Sequence, residues 1–390
     1  MPQSRWSDVS GVSLDANYRR MPALASIDLF SPDCPATRFY DVLPGDADAP
    51  RGEGCSQTTW AECFARLRRA SFDEIEQPTL DELTLLLLAP DLEVPPHSEL
   101  RALADHCSRH YIQAFRERSP QSLKKMSLQR LNFFLRSLLD REVPPPPDAY
   151  ETPLEGLCPW DWLETPSGML RIVSGEPNIV LETPAGRRAW QQGLPTQADP
   201  IRPGEIGIGS FYSDGASLLR GESLQRVEHD APVVLLFVYD GRKLLLDARG
   251  RLFDWLDGAV TPGPPLLQLD VGVVARARRF ASRLYVIDWT TIGSMQTVDL
   301  DCGTVERVNV SPVLVPNDIA EVGGFRYLLD KQQGQVFKFD SGWRLVARQC
   351  GFGRGPGRLF DPLTIRPSAD SRWLRVLNWA PSTMSWIPIF

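Results

Sequence analysis

At 390 residues the chain exceeds the usual span of one hydrophobic core, so two domains are the expectation. Its 43 % hydrophobic and 23 % charged content is ordinary for a globular protein. A net charge of −7 argues against the basic face on which a nucleic-acid platform depends.

The first eight residues are polar and lack the apolar centre of a signal peptide. The longest apolar run, around residues 85–89, falls well short of the ~20 residues that cross a bilayer. Seven cysteines (Cys34, Cys55, Cys63, Cys107, Cys158, Cys302 and Cys350) form an odd, scattered set without a Cys-x-x-Cys pair. Reduced thiols in a cytoplasmic protein fit that pattern, and no membrane or nucleic-acid partner is expected.

Residues 26–30 and 37–43 read as short strands, and the Gly/Asp-rich stretch 46–56 as a loop. Residues 58–141 read as helices. Thr79 with Glu82 fits a capping box, and Ser119 followed by Pro120 a helix start. Between them, Leu100, Leu103, Tyr111, Ile112 and Phe115 share one stripe of a helix over 98–118. A run of four prolines, Pro144 to Pro147, reads as a stiff spacer. The expected division is a mostly helical domain at 1–143, a proline-rich linker at 144–155, and an all-β domain at 156–390. The fold class is therefore multidomain, α plus β.

Within 156–390, four apolar runs close on Asp247, Asp288, Asp330 and Asn378, which lie 41, 42 and 48 residues apart. That is the period of one four-stranded propeller blade. Each closing residue is followed by a turn and an alternating strand. Two weaker copies are expected upstream, at 170–182 and at 206–219, the latter including a strand at 216–219. Six copies predict a six-bladed ring. The last copy has only three strands, so an open edge must be covered from elsewhere. The candidates are residues 149–158 or a strand-like piece before residue 45.

Residues 315–330 and 334–340 resemble an NHL repeat: a proline, an Ile-Ala strand, glycines, then an apolar strand ending in Asp. Residues 353–362 resemble the connection between NHL blades. The resemblance is good over 311–390, fair over 231–310 and weak upstream. It implies a fold rather than an activity. Bacterial chains with such propellers occur among phage-tail-like particles and conflict systems, which implies a scaffold whose partner is another protein.

Asp247, Asp288, Asp330 and Asn378 are also the candidate metal ligands. Converging on a propeller mouth they would hold a hard cation, as lactonase-like propellers do. Their recurrence in phase favours the other reading, in which each closes its own hairpin on turn amides, since ligands for one ion need not recur in phase. His106 and His110 stand one helical turn apart, but a zinc site needs further protein ligands. No catalytic constellation stands out. His229 is the only histidine of the β domain, no Gly-x-Ser-x-Gly elbow is present, and residues 351–357 lack the Lys-Ser/Thr of a phosphate loop. No cofactor is expected. Trp255, Trp289 and Trp379 follow the hairpin turns, and Trp160 and Trp162 open the β domain; they serve either partner contact or blade packing. Arg276, Arg278 and Arg279 form the one local basic cluster, read as an exposed loop or a dock for an acidic partner surface. The functional expectation is a non-enzymatic protein-interaction scaffold. The alternative is a metal-dependent propeller hydrolase or lactonase.

Overall fold

The structure is a computed structural model. It describes residues 65, 69, 96–116, 128, 131, 132, 135, 136, 139, 140 and 144–390, the last stretch without 155–158, 167, 174–177, 193–196, 256–263, 273, 289, 354 and 379–381. The strands expected before residue 45, the capping box at 79–82 and the helix start at 119–120 lie outside the described residues. The chain divides into two compact units, residues 1–144 with 351–353, and residues 145–350 with 354–390.

In the first unit, α1 (His97–Arg116) lies where the apolar stripe predicts it. Leu100, Leu103, Ala104, Cys107 and Tyr111 recur at helical spacing and are buried. So are Leu128, Leu131, Leu135 and Leu139. Arg136 pairs with Asp105, and Ser108 Oγ donates to Asn132 Oδ1 at 3.1 Å. Burial pushes the Cys107 thiol up to about 12, so it stays protonated and unreactive.

The second unit is a six-bladed β-propeller, six antiparallel sheets of four strands each. A short strand, β1 (Tyr150–Pro153), comes first. Blade 1 is β2 (Pro159–Thr165), β3 (Gly168–Val173), β4 (Ile179–Thr183) and β5 (Gly186–Trp190). Blade 2 is β6 (Ala198–Arg202), β7 (Glu205–Ile208), β8 (Phe211–Asp214) and, after α2 (Gly215–Arg220), β9 (Gln225–Arg226). Blade 3 is β10 (Val233–Tyr239), β11 (Arg242–Asp247), β12 (Arg251–Asp254) and β13 (Leu267–Gln268). Blade 4 is β14 (Val274–Phe280), β15 (Arg283–Asp288), β16 (Ser294–Asp299) and β17 (Thr304–Asn309). Blade 5 is β18 (Pro316–Val322), β19 (Phe325–Asp330), β20 (Gln335–Phe339) and β21 (Leu345–Gln349). Blade 6 is β22 (Pro362–Pro367), β23 (Trp373–Asn378) and β24 (Thr383–Pro388).

The ring is shut by β1. It pairs antiparallel with β24, Tyr150 opposite Trp386 and Pro153 opposite Thr383, and so supplies the fourth strand of blade 6. Tyr150 stacks on Trp386 at 5.4 Å between ring centroids. Of the two sources the sequence offers for this strand, residues 149–158 hold it.

Closure is also written in the cores. Each of the six hydrophobic clusters of the ring belongs to one pair of neighbouring blades, and together they run round the circle. Leu235, Phe237 and Leu246 of blade 3 meet Ala277, Leu284 and Val286 of blade 4 in one of them. Between blades 6 and 1 the described residues of the cluster are Trp162, Leu363, Leu377 and Met384. At the blade 2–3 contact a Cβ on Gly207 would stand 3.1 Å from Leu236 Cβ, so the absence of a side chain permits the close approach.

One expectation needs correction. Residues 216–219 form no strand; they lie in α2. Asp214 caps this short helix by accepting from the Ser217 amide at 2.7 Å, and Gly221 ends it at φ +75°. The apolar Ala216, Leu218 and Leu219 match a strand and one helical turn equally well, and the caps decide.

Candidate functional site

The innermost strand of a blade carries its side chains toward the ring axis and toward the neighbouring blades. In β2, β10, β14, β18 and β22 the ladder slips by one residue after the first pair. The first residue past each slip is Asp161, Leu235, Arg276, Asp318 or Thr364. Two positions on, and so on the same side of the strand, stand Leu163, Phe237, Arg278, Ala320 and Arg366. Blade 3 is apolar at both positions. The other blades bring charges of both signs to the centre.

Those charges meet. Arg278 donates from Nε to Asp318 Oδ1 and from Nη2 to Asp318 Oδ2, both at 2.9 Å. Its Nη1 reaches Asp199 Oδ1 at 2.6 Å, and Nη2 lies 3.5 Å from Asp161 Oδ2. Arg366 donates from Nη2 to Asp161 at 3.2 and 3.3 Å and to the Ala198 carbonyl at 2.6 Å. Arg276 Nη1 stands 3.1 Å from Asp161 Oδ2. Three guanidiniums thus face three carboxylates, contributed by five of the six blades.

Backbone amides complete the carboxylates. Asp161 accepts from Trp162 and Ala198 at 2.9 and 3.0 Å, and Asp318 from Ile319 and Ile365 at the same distances. Asp161 and Asp318 are fully buried and Arg278 is 4 % exposed. Burial alone would push the Asp161 carboxyl up. Arg366, Arg278 and Arg276 outweigh it and hold the group well below the carboxylate range. Burial likewise lowers Arg278, and Asp199, Asp318 and Asp161 more than reverse that, so it is charged at all accessible pH values.

A cavity of about 240 Å³ opens beside the cluster, lined by Trp162, Glu164, Asp199, Arg278, Arg279, Arg366 and Arg375 among others. At its wall Arg375 holds Glu164 Oε2 at 3.0 Å and lies over the Trp162 ring, 4.3 Å from the centroid.

The exposed-loop reading of the basic cluster is corrected here. Arg276 and Arg278 sit on β14, buried and ion-paired, whereas Arg279 is half-buried at the cavity. Trp255 is 2 % exposed, packed edge-on against Tyr212 with Lys243 over its ring. Trp289 and Trp379 lie outside the described residues.

Asp247, Asp288, Asp330 and Asn378 each end the second strand of a blade, and each is occupied locally. Asp247 accepts from the Arg249 and Arg251 amides, both at 2.9 Å. Asp288 accepts from the Gly272 and Thr290 amides at 2.9 and 2.8 Å. Asp330 takes the Gln332 and Gln333 amides on one oxygen, and the Leu314 amide and Gln333 Nε2 on the other. Asn378 Oδ1 accepts from Phe360 at 3.2 Å. Asp288, Asp330 and Asn378 thereby also hold amides of the loop that enters the same blade, and Asp247 is reached from that loop by His229 Nε2 at 3.2 Å.

Among the described residues the one group with metal-ligand spacing is His229, Asp230 and Asp247. Arg251 already bridges its two carboxylates, 2.7 Å from Asp247 Oδ2 and 2.6 Å from Asp230 Oδ1. His106 and His110 bring their Nε2 atoms within 2.9 Å of each other on α1.

Asp161, Asp199, Asp318 and Arg366 were missed by reading the sequence. Asp161, Asp199 and Asp318 stand near the start of their inner strands and Arg366 near the end of its own, so the four share no position that a repeat would mark.

No protein-family model matches the sequence, and no curated protein matches it. Solved structures that it resembles do so at low identity. The Pan2 WD40 domain of Neurospora crassa aligns at 10 % identity over 58 % of this chain and 74 % of its own, with a TM-score of 0.43. The gluconolactonase XC5397 of Xanthomonas campestris aligns at 12 % over 63 % and 91 %, with a TM-score of 0.45. A protein of unknown function from Bacteroides thetaiotaomicron aligns at 12 % over 61 % and 72 %, with a TM-score of 0.47. At these values neither an interaction domain nor an enzyme is favoured.

Proposed function

We propose that the chain is a non-enzymatic scaffold: an NHL-like propeller that docks another protein within a bacterial assembly of the phage-tail-like or conflict type. The chemistry at the ring's centre carries this reading. A metal-dependent propeller hydrolase needs several oxygen ligands free to converge and a position open to water. Here Asp161, Asp199 and Asp318 are held by three guanidiniums, and Asp247, Asp288 and Asp330 by backbone amides. These carboxylates brace blades and turns.

A second feature supports docking. Large apolar side chains are exposed at the outer edge of three successive blades: Leu266 before β13, Val305 on β17, and Leu345 and Val346 on β21. Such side chains suit contact with another protein surface. No helix among the described residues is long and apolar enough to cross a membrane.

Metal analysis of the purified protein, with Ca²⁺ and Zn²⁺ titrations of its melting temperature, separates the scaffold from a hydrolase. A scaffold shows no stoichiometric metal and no shift. A stoichiometric ion that raises Tm by several degrees overturns the reading. Affinity capture with wild-type bait and a Leu345→Asp/Val346→Asp variant then tests the rim: a protein retained by the first and lost by the second is the expected result.

A further inference from the structure

The cavity beside the charged cluster has more donors than acceptors. Its charged lining consists of four arginines, Arg278, Arg279, Arg366 and Arg375, against two carboxylates, Glu164 and Asp199. Arg278 and Arg366 are engaged by buried aspartates, and Arg375 by Glu164. Among the described residues Arg279 forms no ion pair; its Nη1 donates to the Ala281 carbonyl at 2.9 Å.

The imbalance repeats at the level of single atoms. Trp162 Nε1, Arg366 Nε and Arg375 Nε are buried donors without an acceptor, and all three belong to residues that line the cavity. Trp162 is 1 % exposed and Arg375 5 %. Buried donors left unmatched are costly, and native structures keep few of them. A cation would worsen this surplus. A neutral ligand would match donors and leave the excess positive charge. An oxyanion does both, since each of its oxygens accepts more than one N–H.

We propose that this mouth binds a single oxyanion group, a carboxylate or a phosphate, received by Arg279, Arg375 and Trp162. Guanidinium forks and an indole N–H suit such a group better than lysines would, because their donors are fixed in direction. The group arrives either as a free small anion or on an acidic side chain of a polypeptide. The site stands whether or not the rim docks a protein, so failure of the capture experiment leaves it untouched.

Calorimetry and thermal shift on the full chain, at ionic strength held constant with chloride, provide the test. The probes are inorganic phosphate, a short peptide carrying two glutamates, and the same peptide with glutamines. The expected result is one-to-one binding of phosphate, the glutamate peptide, or both, with a rise in Tm that chloride does not produce. Arg279→Gln and Trp162→Phe each weaken it about tenfold, and both variants keep the circular dichroism of the parent. Phosphate alone identifies a free anion; the glutamate but not the glutamine peptide identifies an acidic polypeptide. Should neither probe exceed chloride, or should both variants bind as the parent does, the proposal is overturned.

Discussion

Arg278 of β14 grips Asp318 of β18 through two parallel hydrogen bonds of 2.9 Å, and the same guanidinium reaches back to Asp199 of β6. One side chain thereby ties three blades. Removing either partner strands a buried charge, which costs about 3–5 kcal/mol. Arg278→Met and Asp318→Ala are each expected to lower stability by that order in urea unfolding. The double variant should lose less than the sum of the two, by about 1 kcal/mol or more. Strict additivity would mean that the pair is not coupled.

Acid should find the same cluster. Asp161 has a folded-state pKa below its unfolded value near 3.8. Its ionisation therefore stabilises the fold fully above the unfolded value, and this contribution fades as pH falls toward the folded one. Melting curves between pH 7 and pH 2.5 should show Asp161→Asn well below the parent at neutral pH, with the gap narrowing below about pH 4. A gap independent of pH would sink this account.

Closure by β1 makes a third prediction. Deleting residues 150–153 removes the pairing with β24 and leaves that strand as an open edge. Tm is expected to fall by about 5–10 °C, and size-exclusion chromatography should show association through the bare edge. A monomer of unchanged Tm would mean that blade 6 does not need its fourth strand.

Asp330 is tested separately from any metal. Alanine there removes the acceptor of five hydrogen bonds, from the amides of Leu314, Val315, Gln332 and Gln333 and from Gln333 Nε2. A loss of about 3 kcal/mol or more is expected, with Asp330→Asn milder because one acceptor oxygen survives. Unfolding in the presence of a chelator should give the same values, since the role is that of a turn brace.

Much of the ring could be read in advance because its repeat is chemical as well as geometric. Apolar runs closed by Asp247, Asp288 and Asp330 recur because each turn needs a short acceptor for its amides, and that need shows in one dimension. The charged centre does not. Asp161 and Arg366 are 205 residues apart in the chain yet share hydrogen bonds, and no local pattern announces such a pairing. Arg276 and Arg278 misled for the opposite reason: three arginines in four residues resemble a surface segment unless their strand is known to be innermost. The short α2 escaped notice because its caps, Asp214 and Gly221, are equally good turn residues.

The strand that shuts the ring also sets the order of events on the ribosome. Blades 1 to 5 can emerge and pair internally, but β1 waits for β24 until nearly the whole propeller has been translated. Throughout that interval an unmatched strand remains open to solvent, where a chaperone or a neighbouring nascent chain would meet it first.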